Sequence, residues 1–245
     1  MRILLSILAF TILSGCTKSY QLTETKSVNI SVSDTTTDPA SNKIIAPYKQ
    51  KLDAEMNQVI GYTEEAMEKN YPEGVLGNYV ADLLLFQAFQ LYKDSLNESN
   101  TFTLINNGGL RTSFPKGDIT KGKVYELMPF ENEMVVCKIK GELIPEVHKY
   151  LQAKKGQPVS GNVQVKLDDQ TENNFLIQQQ KINPEKYYYI ITSDYLSAGG
   201  DNMEFFKESK VYFSNIKLRD LIFKHIEYTS SLRLPISSKL DGRVK

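Results

Sequence analysis

The sequence predicts an α+β fold in which layered helices pack on a mixed β-sheet, and three observations lead to this class. Stretches with apolar residues at helical spacing are interspersed with stretches rich in β-branched and aromatic residues. The two kinds do not follow the strict strand–helix–strand rhythm of a doubly wound parallel sheet. The chain has 245 residues, of which 41% are hydrophobic, and this suits a globular domain with an ordinary core.

The helical pattern is strongest over residues 76–96, where apolar side chains cover a wide arc and predict a largely buried helix. Alternating apolar and polar residues at 158–168 and 174–182 predict strands. The other predicted helices lie at 47–56, 121–128, 141–154 and 217–228, and the other predicted strands at 101–105, 133–140, 187–192 and 211–213.

Residues 1–15 are predicted to be a lipoprotein signal peptide. One basic residue, Arg2, precedes an apolar run at 3–13 that is too short to span a bilayer as a helix. The run ends in Leu-Ser-Gly-Cys, which resembles a bacterial lipobox and predicts that Cys16 carries the lipid. The alternative is an ordinary signal peptide with an incidental cysteine.

Residues 16–46 are rich in Ser, Thr and Asp, which predicts a tether between the lipid and the domain. Within it, Val28, Ile30 and Val32 alternate with polar residues and predict a possible short strand. The domain itself is expected to cover 47–245. We therefore expect a protein of the bacterial cell envelope, anchored by lipid and either periplasmic or associated with the outer membrane.

The composition argues against several classes of function. The net charge is zero, so a broad electrostatic surface for nucleic acid is not expected. His148 and His225 have no His or Cys partner at ligand spacing, which gives no reason to assign a metal site. Cys137 lies in an apolar run that is typical of a buried strand. No catalytic residue and no metal ligand is therefore assigned to this chain.

Two glycine turns carry the residue types that suit a nucleotide site. Asn-Asn-Gly-Gly-Leu-Arg at 106–111 follows a predicted strand, and Ala-Gly-Gly-Asp at 198–201 follows another. Aromatic rings can hold a base, a guanidinium can hold phosphate or ribose oxygens, and a carboxylate can accept from ribose hydroxyls. Each segment alone has a structural alternative: a tight turn, a surface arginine, a core phenylalanine or a helix-capping aspartate.

Taken together, the segments resemble the 5′-nucleotidase C-terminal domain family, the substrate-binding half of periplasmic 5′-nucleotidases and UDP-sugar hydrolases. The resemblance runs from about residue 47 to the end. Its main motifs, in order, are Asn-x-Gly-Gly-Leu-Arg at 106–111, Gly-x-Ile-Thr at 117–120, Pro-Phe-x-Asn at 129–132 and an aromatic residue ahead of Gly-Gly-Asp at 195–201. Further agreement comes from Leu-Gly-Asn at 76–78 with Asp82, from Ser160-Gly161 and from Asp-Gly-Arg at 241–243.

The resemblance implies that seven residues bind the substrate: Asn106, Arg111, Phe130, Asn132, Gly161, Tyr195 and Asp201. Phe130 and Tyr195 would sandwich the base, although the family usually has phenylalanine at the second position. Asn132 would hydrogen-bond the edge of the base.

The same resemblance assigns the sugar and phosphate contacts. Asp201 would accept from ribose hydroxyls, and Arg111 with Asn106 would face ribose or phosphate oxygens. Gly161 would bring backbone close to the ligand. Family members often carry arginines ahead of the Leu-Gly-Asn segment, whereas Lys69 is the one cation in that stretch of this chain.

In the family, a metallophosphoesterase domain with two metal ions hydrolyses the ester. We therefore expect a separate metallophosphoesterase protein to supply the divalent metals, while this chain, inactive alone, supplies nucleotide or nucleoside binding. The face that carries Phe130, Tyr195 and Arg111 would dock this partner. The alternatives are a non-enzymatic nucleoside-binding lipoprotein and a scaffold that binds nothing.

Overall fold

The computed structural model describes residues 21–22, 24–31, 38–168 and 174–245. Its helices are α1 (Pro39–Met56), α2 (Val75–Leu91), α3 (Lys121–Leu127), α4 (Ile144–Ala153), α5 (Asp194–Ser197) and α6 (Leu218–Ser231). Its strands are β1 (Val59–Thr63), β2 (Thr101–Thr103), β3 (Gly117–Thr120), β4 (Glu133–Lys140), β5 (Val163–Val165), β6 (Phe175–Ile177), β7 (Gln180–Lys181), β8 (Tyr187–Ser193) and β9 (Lys210–Lys217). Short 3₁₀ turns lie at Gly141–Leu143, Gly200–Asn202 and Glu204–Phe206.

The main sheet has four strands in the order β2-β8-β4-β9. β2 runs parallel to β8, whereas β4 is antiparallel to both β8 and β9. The sheet is therefore mixed, and the predicted α+β class is confirmed. β1 and β3 form a two-stranded antiparallel sheet, and β5, β6 and β7 form a three-stranded one.

The four-stranded sheet separates two apolar cores, because successive side chains on a strand point to opposite faces. On β4, Val136 joins the core that also contains buried side chains of α2 and α6, and Val135 joins the core that contains those of α4 and β5. Cys137 belongs to the second core, where burial raises the pKa of its thiol to about 11. The prediction that Cys137 lies in a buried strand is thus confirmed.

The N-terminal segment differs from the sequence prediction. Residues 24–31 form neither helix nor strand, and Val28 and Ile30 are exposed, so the possible strand is wrong over these residues; Val32 lies outside the described part. The backbone groups of a strand pair with those of a neighbouring strand, and residues 24–31 have no such pairing in the structure. The predicted signal peptide and Cys16 also lie outside the described residues.

The first helix begins earlier than predicted, at Pro39, and Pro47 lies inside it. The carboxylate of Asp38 explains this start, because it accepts hydrogen bonds from the backbone N–H groups of Ala40 and Ser41. Proline has no backbone N–H, and it fits the first helical position because an N–H there would have no acceptor within the helix. α1 has no buried residue.

The chain divides into two units, Met1–Ala46 and Pro47–Lys245. Among the residues that the structure describes, no helix is long and apolar enough to cross a membrane. Within the second unit, α2 has ten buried residues, which confirms the largely buried helix, although it ends at Leu91 rather than 96. β1 and β3 were not predicted as strands, since each has only four or five residues and little alternation.

Candidate functional site

The two Gly-Gly turns meet through one hydrogen bond. Asn106 Nδ2 donates to Asp201 Oδ2 at 2.6 Å, across 95 residues of sequence. The Asn106 side chain also lies against the backbone of its own turn: a Cβ at Gly109 would stand 2.8 Å from Asn106 Oδ1. Glycine at 109 therefore leaves room for the amide that joins the turns.

Backbone bonds to neighbouring segments hold the first turn in place. The N–H of Asn107 donates to the buried Oε1 of Gln157 at 2.7 Å, and the N–H of Arg111 donates to the carbonyl of Leu127 at 2.8 Å. The Arg111 side chain is exposed, and its Nη1 donates to the carbonyl of Gly108 at 3.2 Å. The guanidinium thus lies beside the turn and remains open to solvent.

The second turn places Tyr195 and Asp201 next to each other. Ser193 caps α5, since its Oγ accepts from the N–H of Leu196 at 3.1 Å. Gly199 and Asp201 then take left-handed backbone conformations with φ of 91° and 56°. As a result, the N–H of Asp201 donates to Tyr195 Oη at 3.2 Å, and the ring lies so close to Gly200 that a Cβ there would be 2.6 Å from it.

The loop that carries Phe130 is fixed from α6. Arg219 is buried, and its Nη1 donates to the carbonyls of Met128 and Pro129 at 3.2 and 3.3 Å. Its Nη2 pairs with Glu131, which also pairs with Lys217. Hydrogen bonds from Lys217 and Arg219 lower the pKa of Glu131 to about 2.

The two predicted base-binding rings are both half exposed: 48% of Phe130 and 51% of Tyr195 are open to solvent. They are therefore not core residues, which removes the structural alternative for Phe130. Arg111 lies close to the first ring, with its Cζ 5.9 Å from the ring centroid. A cation at this distance is attracted to the face of the ring.

Asn132 completes the group. Its carbonyl accepts from the N–H of Leu218 at 2.9 Å, and its side chain lines the same small pocket as Asn106 and Gly109. Six of the seven predicted residues are thus brought together by direct contacts or a shared pocket. We call them the ligand face: Asn106, Arg111, Phe130, Asn132, Tyr195 and Asp201.

Gly161 is the predicted site residue that the structure places elsewhere. Its N–H donates to Asp82 Oδ1 at 2.7 Å, and a Cβ on it would be 3.0 Å from Arg243 Nη2. Arg243 is 5% exposed and pairs with both Asp82 and Asp241. We call these three charged residues the arginine cluster. The motif glycine is needed for close packing on this cluster, and no hydrogen bond among the described residues joins it directly to a residue of the ligand face.

Some residues that support the site were missed at the sequence level. Arg219 and Gln157 hold the two loops, but a helix arginine and a loop glutamine carry no motif that would single them out. Lys69, noted as the one cation of its stretch, donates from Nζ to the carbonyl of Leu110 at 2.6 Å. This places an ammonium group directly beside the Asn106–Arg111 turn.

The described residues offer no obvious metal centre: they contain no cluster of three or more His, Cys, Asp or Glu side chains that could hold an ion. His148 is buried and contacts the carbonyl of Lys166 and the amide of Asn174. His225 packs edge-on against Tyr79 and Phe86. Both histidines have the structural surroundings expected of helix residues.

Comparisons with known proteins identify the family of this chain. The family model for the 5′-nucleotidase C-terminal domain matches residues 59–208. The trifunctional nucleotide phosphoesterase protein YfkN of Bacillus subtilis is 26% identical over 233 residues, which cover 84% of this chain and 15% of YfkN. Protein UshA of Yersinia enterocolitica is 28% identical over 172 residues, which cover 67% of this chain and 30% of UshA. The chain thus spans less than a third of the length of these two relatives.

Solved structures share the fold. A 5′-nucleotidase precursor from Thermus thermophilus superposes with a TM-score of 0.66 at 23% identity, over 84% of this chain and 43% of that one. The NAD nucleotidase of Haemophilus influenzae superposes with a TM-score of 0.60 at 16% identity, over 85% and 41%. With more than half of its residues matched by the family model, this chain belongs to the 5′-nucleotidase C-terminal domain family.

Proposed function

We propose that this chain binds nucleosides and nucleotides at the ligand face and so contributes substrate recognition to phosphate-ester hydrolysis. The observation that carries the proposal is the Asn106–Asp201 hydrogen bond, which brings two turns 95 residues apart in sequence into one site. Beside it stand two half-exposed rings, Phe130 and Tyr195. Exposed aromatic rings are costly to leave in water and are suited to stacking on a flat heterocycle.

The polar groups are placed for the rest of a nucleotide. The Asp201 carboxylate can accept from ribose hydroxyls, which are donors. Arg111 is exposed and lies beside Phe130, so its guanidinium can turn towards a phosphate while the base stacks on the ring. Lys69, which is bonded to the carbonyl of Leu110, adds a second cation near the same turn.

We propose that a separate metallophosphoesterase protein performs the hydrolysis. Two-metal hydrolysis needs several His, Asp and Asn ligands around a polarised water, and the described residues contain no acidic or histidine cluster of that kind. The divalent metals would then belong to the partner. Docking at the ligand face would bring the bound phosphate to those metals.

We also propose that the protein is lipid-anchored through Cys16 in the bacterial cell envelope. The Leu-Ser-Gly-Cys sequence at 13–16 follows a short apolar run and supports this location. Extracellular or periplasmic nucleotides would then be the natural ligands. Mass spectrometry of the membrane-extracted protein would show a diacylglycerol-modified Cys16, and an unmodified thiol there would contradict the anchor.

Isothermal titration of the full chain with adenosine and AMP tests the proposed binding. We expect binding, and we expect Phe130→Ala to weaken the affinity by about tenfold or more, because stacking on one ring contributes about 1–3 kcal/mol. The matched control is Phe213→Ala, which removes a ring that is 58% exposed on β9 and is not one of the ligand-face residues. Equal affinity in the wild type and both variants would contradict the proposed site.

A phosphatase assay separates recognition from catalysis. The purified chain with added Mn²⁺ or Zn²⁺ is expected to release no phosphate from AMP. Release that depends on Asp201 would show that the chain is a hydrolase by itself. Binding that needs no other protein is also what a nucleoside-binding lipoprotein would show, and the absence of binding at millimolar ligand would favour a scaffold.

A further inference from the structure

Tyr150, on α4, carries a polar group that the fold leaves without a partner. The side chain is 8% exposed, and its hydroxyl is removed from water with no hydrogen bond in the described structure. A phenol hydroxyl can both donate and accept, and buried polar groups are almost always paired. An unpaired one therefore calls for a physical reason.

The position of Tyr150 supplies that reason. Its ring packs edge-on against Phe205, with centroids 5.7 Å apart, and Phe205 lies four residues after Asp201. α4 then leads to Gln157, whose Oε1 accepts from the N–H of Asn107, next to Asn106. Tyr150 thus contacts the segment that follows Asp201, and its helix leads to the residue that holds the backbone of Asn107.

The electrostatics agree with this position. Burial, followed by the negative charge of Asp201, raises the pKa of Tyr150 above its ordinary value. The phenols of Tyr71 and Tyr195 act in the same direction. The hydroxyl therefore keeps its proton at neutral pH and can act as a hydrogen-bond donor.

We propose that Tyr150 is a positioning residue for the ligand face, whose hydroxyl donates to the Asp201 carboxylate when ribose hydroxyls displace the Asn106 amide. This inference rests on the proposed function, because it assumes a ligand with a ribose. In the structure, Asp201 Oδ2 accepts from Asn106 Nδ2 at 2.6 Å. A ribose that takes over this carboxylate releases the amide and lets the carboxylate turn.

The carboxylate has room for these bonds. Its two oxygens offer about four acceptor positions, enough for two sugar hydroxyls, the phenol of Tyr150 and one further donor. Because the phenol has no partner to lose within the described structure, turning towards it breaks no existing bond. The bond from Tyr150 would then fix the orientation in which Asp201 meets the sugar. The inference therefore predicts that Tyr150 favours ligands with ribose hydroxyls.

The test is Tyr150→Phe in the full chain, titrated with adenosine and with 2′,3′-dideoxyadenosine, which lacks both hydroxyls. We expect the affinity for adenosine to fall about tenfold, as for the loss of one hydrogen bond to a charged group, and the affinity for the dideoxy compound to stay unchanged. The melting temperature of the free variant should equal or exceed that of the wild type, because an unpaired buried hydroxyl has been removed.

Tyr79→Phe is the matched control. Tyr79 is 4% exposed and its hydroxyl is also unpaired in the described structure, but it lies on α2 in the other apolar core. This variant should leave the affinity for both compounds unchanged. A double variant with Asp201→Ala should show no additional loss from Tyr150→Phe, because the phenol acts through the carboxylate.

The outcomes separate this inference from the proposed function. If the wild type binds adenosine and Tyr150→Phe binds it equally well, the positioning role is wrong while the proposed function stands. Equal weakening of both compounds together with a lower melting temperature would make the residue merely structural and would also overturn the inference. If the wild type binds neither compound, the proposed function fails and the inference fails with it.

Discussion

The arginine cluster and the ligand face are both polar groups that join distant parts of the chain, and they differ in how completely they are paired. Arg243 reaches Asp82 across 161 residues and Asp241 across two, and its Nη1 also donates to the carbonyl of Val159. At the ligand face, two rings are half exposed. We call the arginine cluster closed, because the hydrogen-bond donors of its guanidinium are paired within the protein, and we call the ligand face open, because its rings face solvent.

This difference separates a fully paired network from a group that leaves two rings and an arginine open to solvent. A buried guanidinium with all its bonds made holds segments together but offers nothing to a ligand. Asp201 has a left-handed backbone conformation, and Phe130 and Tyr195 leave about half of their surface in water, which is unfavourable for folding alone. Both groups contain motif residues of the family.

The largest effect on stability is expected from removing the arginine of the closed group. Arg243→Ala should lower the free energy of unfolding by about 2 kcal/mol or more, because it leaves the carbonyl of Val159 without its donor and two partly exposed carboxylates without their cation. Urea denaturation followed by circular dichroism measures this loss. The matched variant is Arg111→Ala, which removes the exposed arginine of the ligand face and should change stability by less than about 0.5 kcal/mol.

The affinity for adenosine should fall more in Arg111→Ala than in Arg243→Ala, which is the reverse of the order expected for stability. Arg243→Ala, while folded, should keep its affinity for adenosine, because no hydrogen bond in the described part of the chain joins the three residues of this cluster directly to a residue of the ligand face. If the two arginine variants lost equal stability, the distinction between a closed and an open group would be wrong.

The sequence predicted the class of fold, and six of the residues that it singled out lie together, but it could not separate the two groups. The order of the motifs pointed to Asn106 and Asp201 together, and the structure joins them. Gly161 was assigned to the ligand on the same kind of signal, yet it packs on Asp82 and Arg243. The pairing of residues more than 90 positions apart depends on tertiary packing, which spacing along the chain does not record.

Supporting residues were harder still to predict. Arg219 is buried on α6 and holds the Phe130 loop, although a single arginine in an amphipathic helix is normally interpreted as a surface charge. Tyr150 fits the apolar face of α4 equally well as a core residue. β1 and β3 were missed for a related reason, since each strand is short and is stabilised by its partner.

A smaller effect on stability is expected at Glu131, which pairs with Lys217 and Arg219 beside the ligand face. Lys217 and Arg219 lower the pKa of Glu131 from 4.5 to about 2, so the contribution of this carboxylate to stability is fully present above pH 4.5 and is lost as the pH falls towards 2. Glu131→Gln should therefore differ most from the wild type at neutral pH and least near pH 2. Melting temperatures measured between about pH 2 and 7 test this.

The same variant tests whether the loop matters for binding. Because Glu131 is exposed, its pairs are screened, and only a modest loss of stability is expected. Adenosine affinity should fall slightly, since Arg219 keeps its bonds to the carbonyls of Met128 and Pro129. A difference in melting temperature that stays constant across the whole pH range would contradict the role of the carboxylate charge.

The smallest effect on stability is expected at His225, which belongs to neither the arginine cluster nor the ligand face. Its Nδ1 is buried without a partner in the described structure, and burial between Tyr79 and Phe86 lowers the pKa of the ring below 6.5. The unfolded chain therefore binds a proton more readily, and stability falls as the pH drops below 6.5, by at most about 1.4 kcal/mol per pH unit. His225→Phe should remove this slope, as measured by urea denaturation between about pH 5 and 7, and leave the shift in melting temperature caused by adenosine unchanged. If that shift changed, the buried nitrogen of His225 would also be coupled to the ligand, and exposure alone would no longer distinguish the ligand face, where adenosine is proposed to bind.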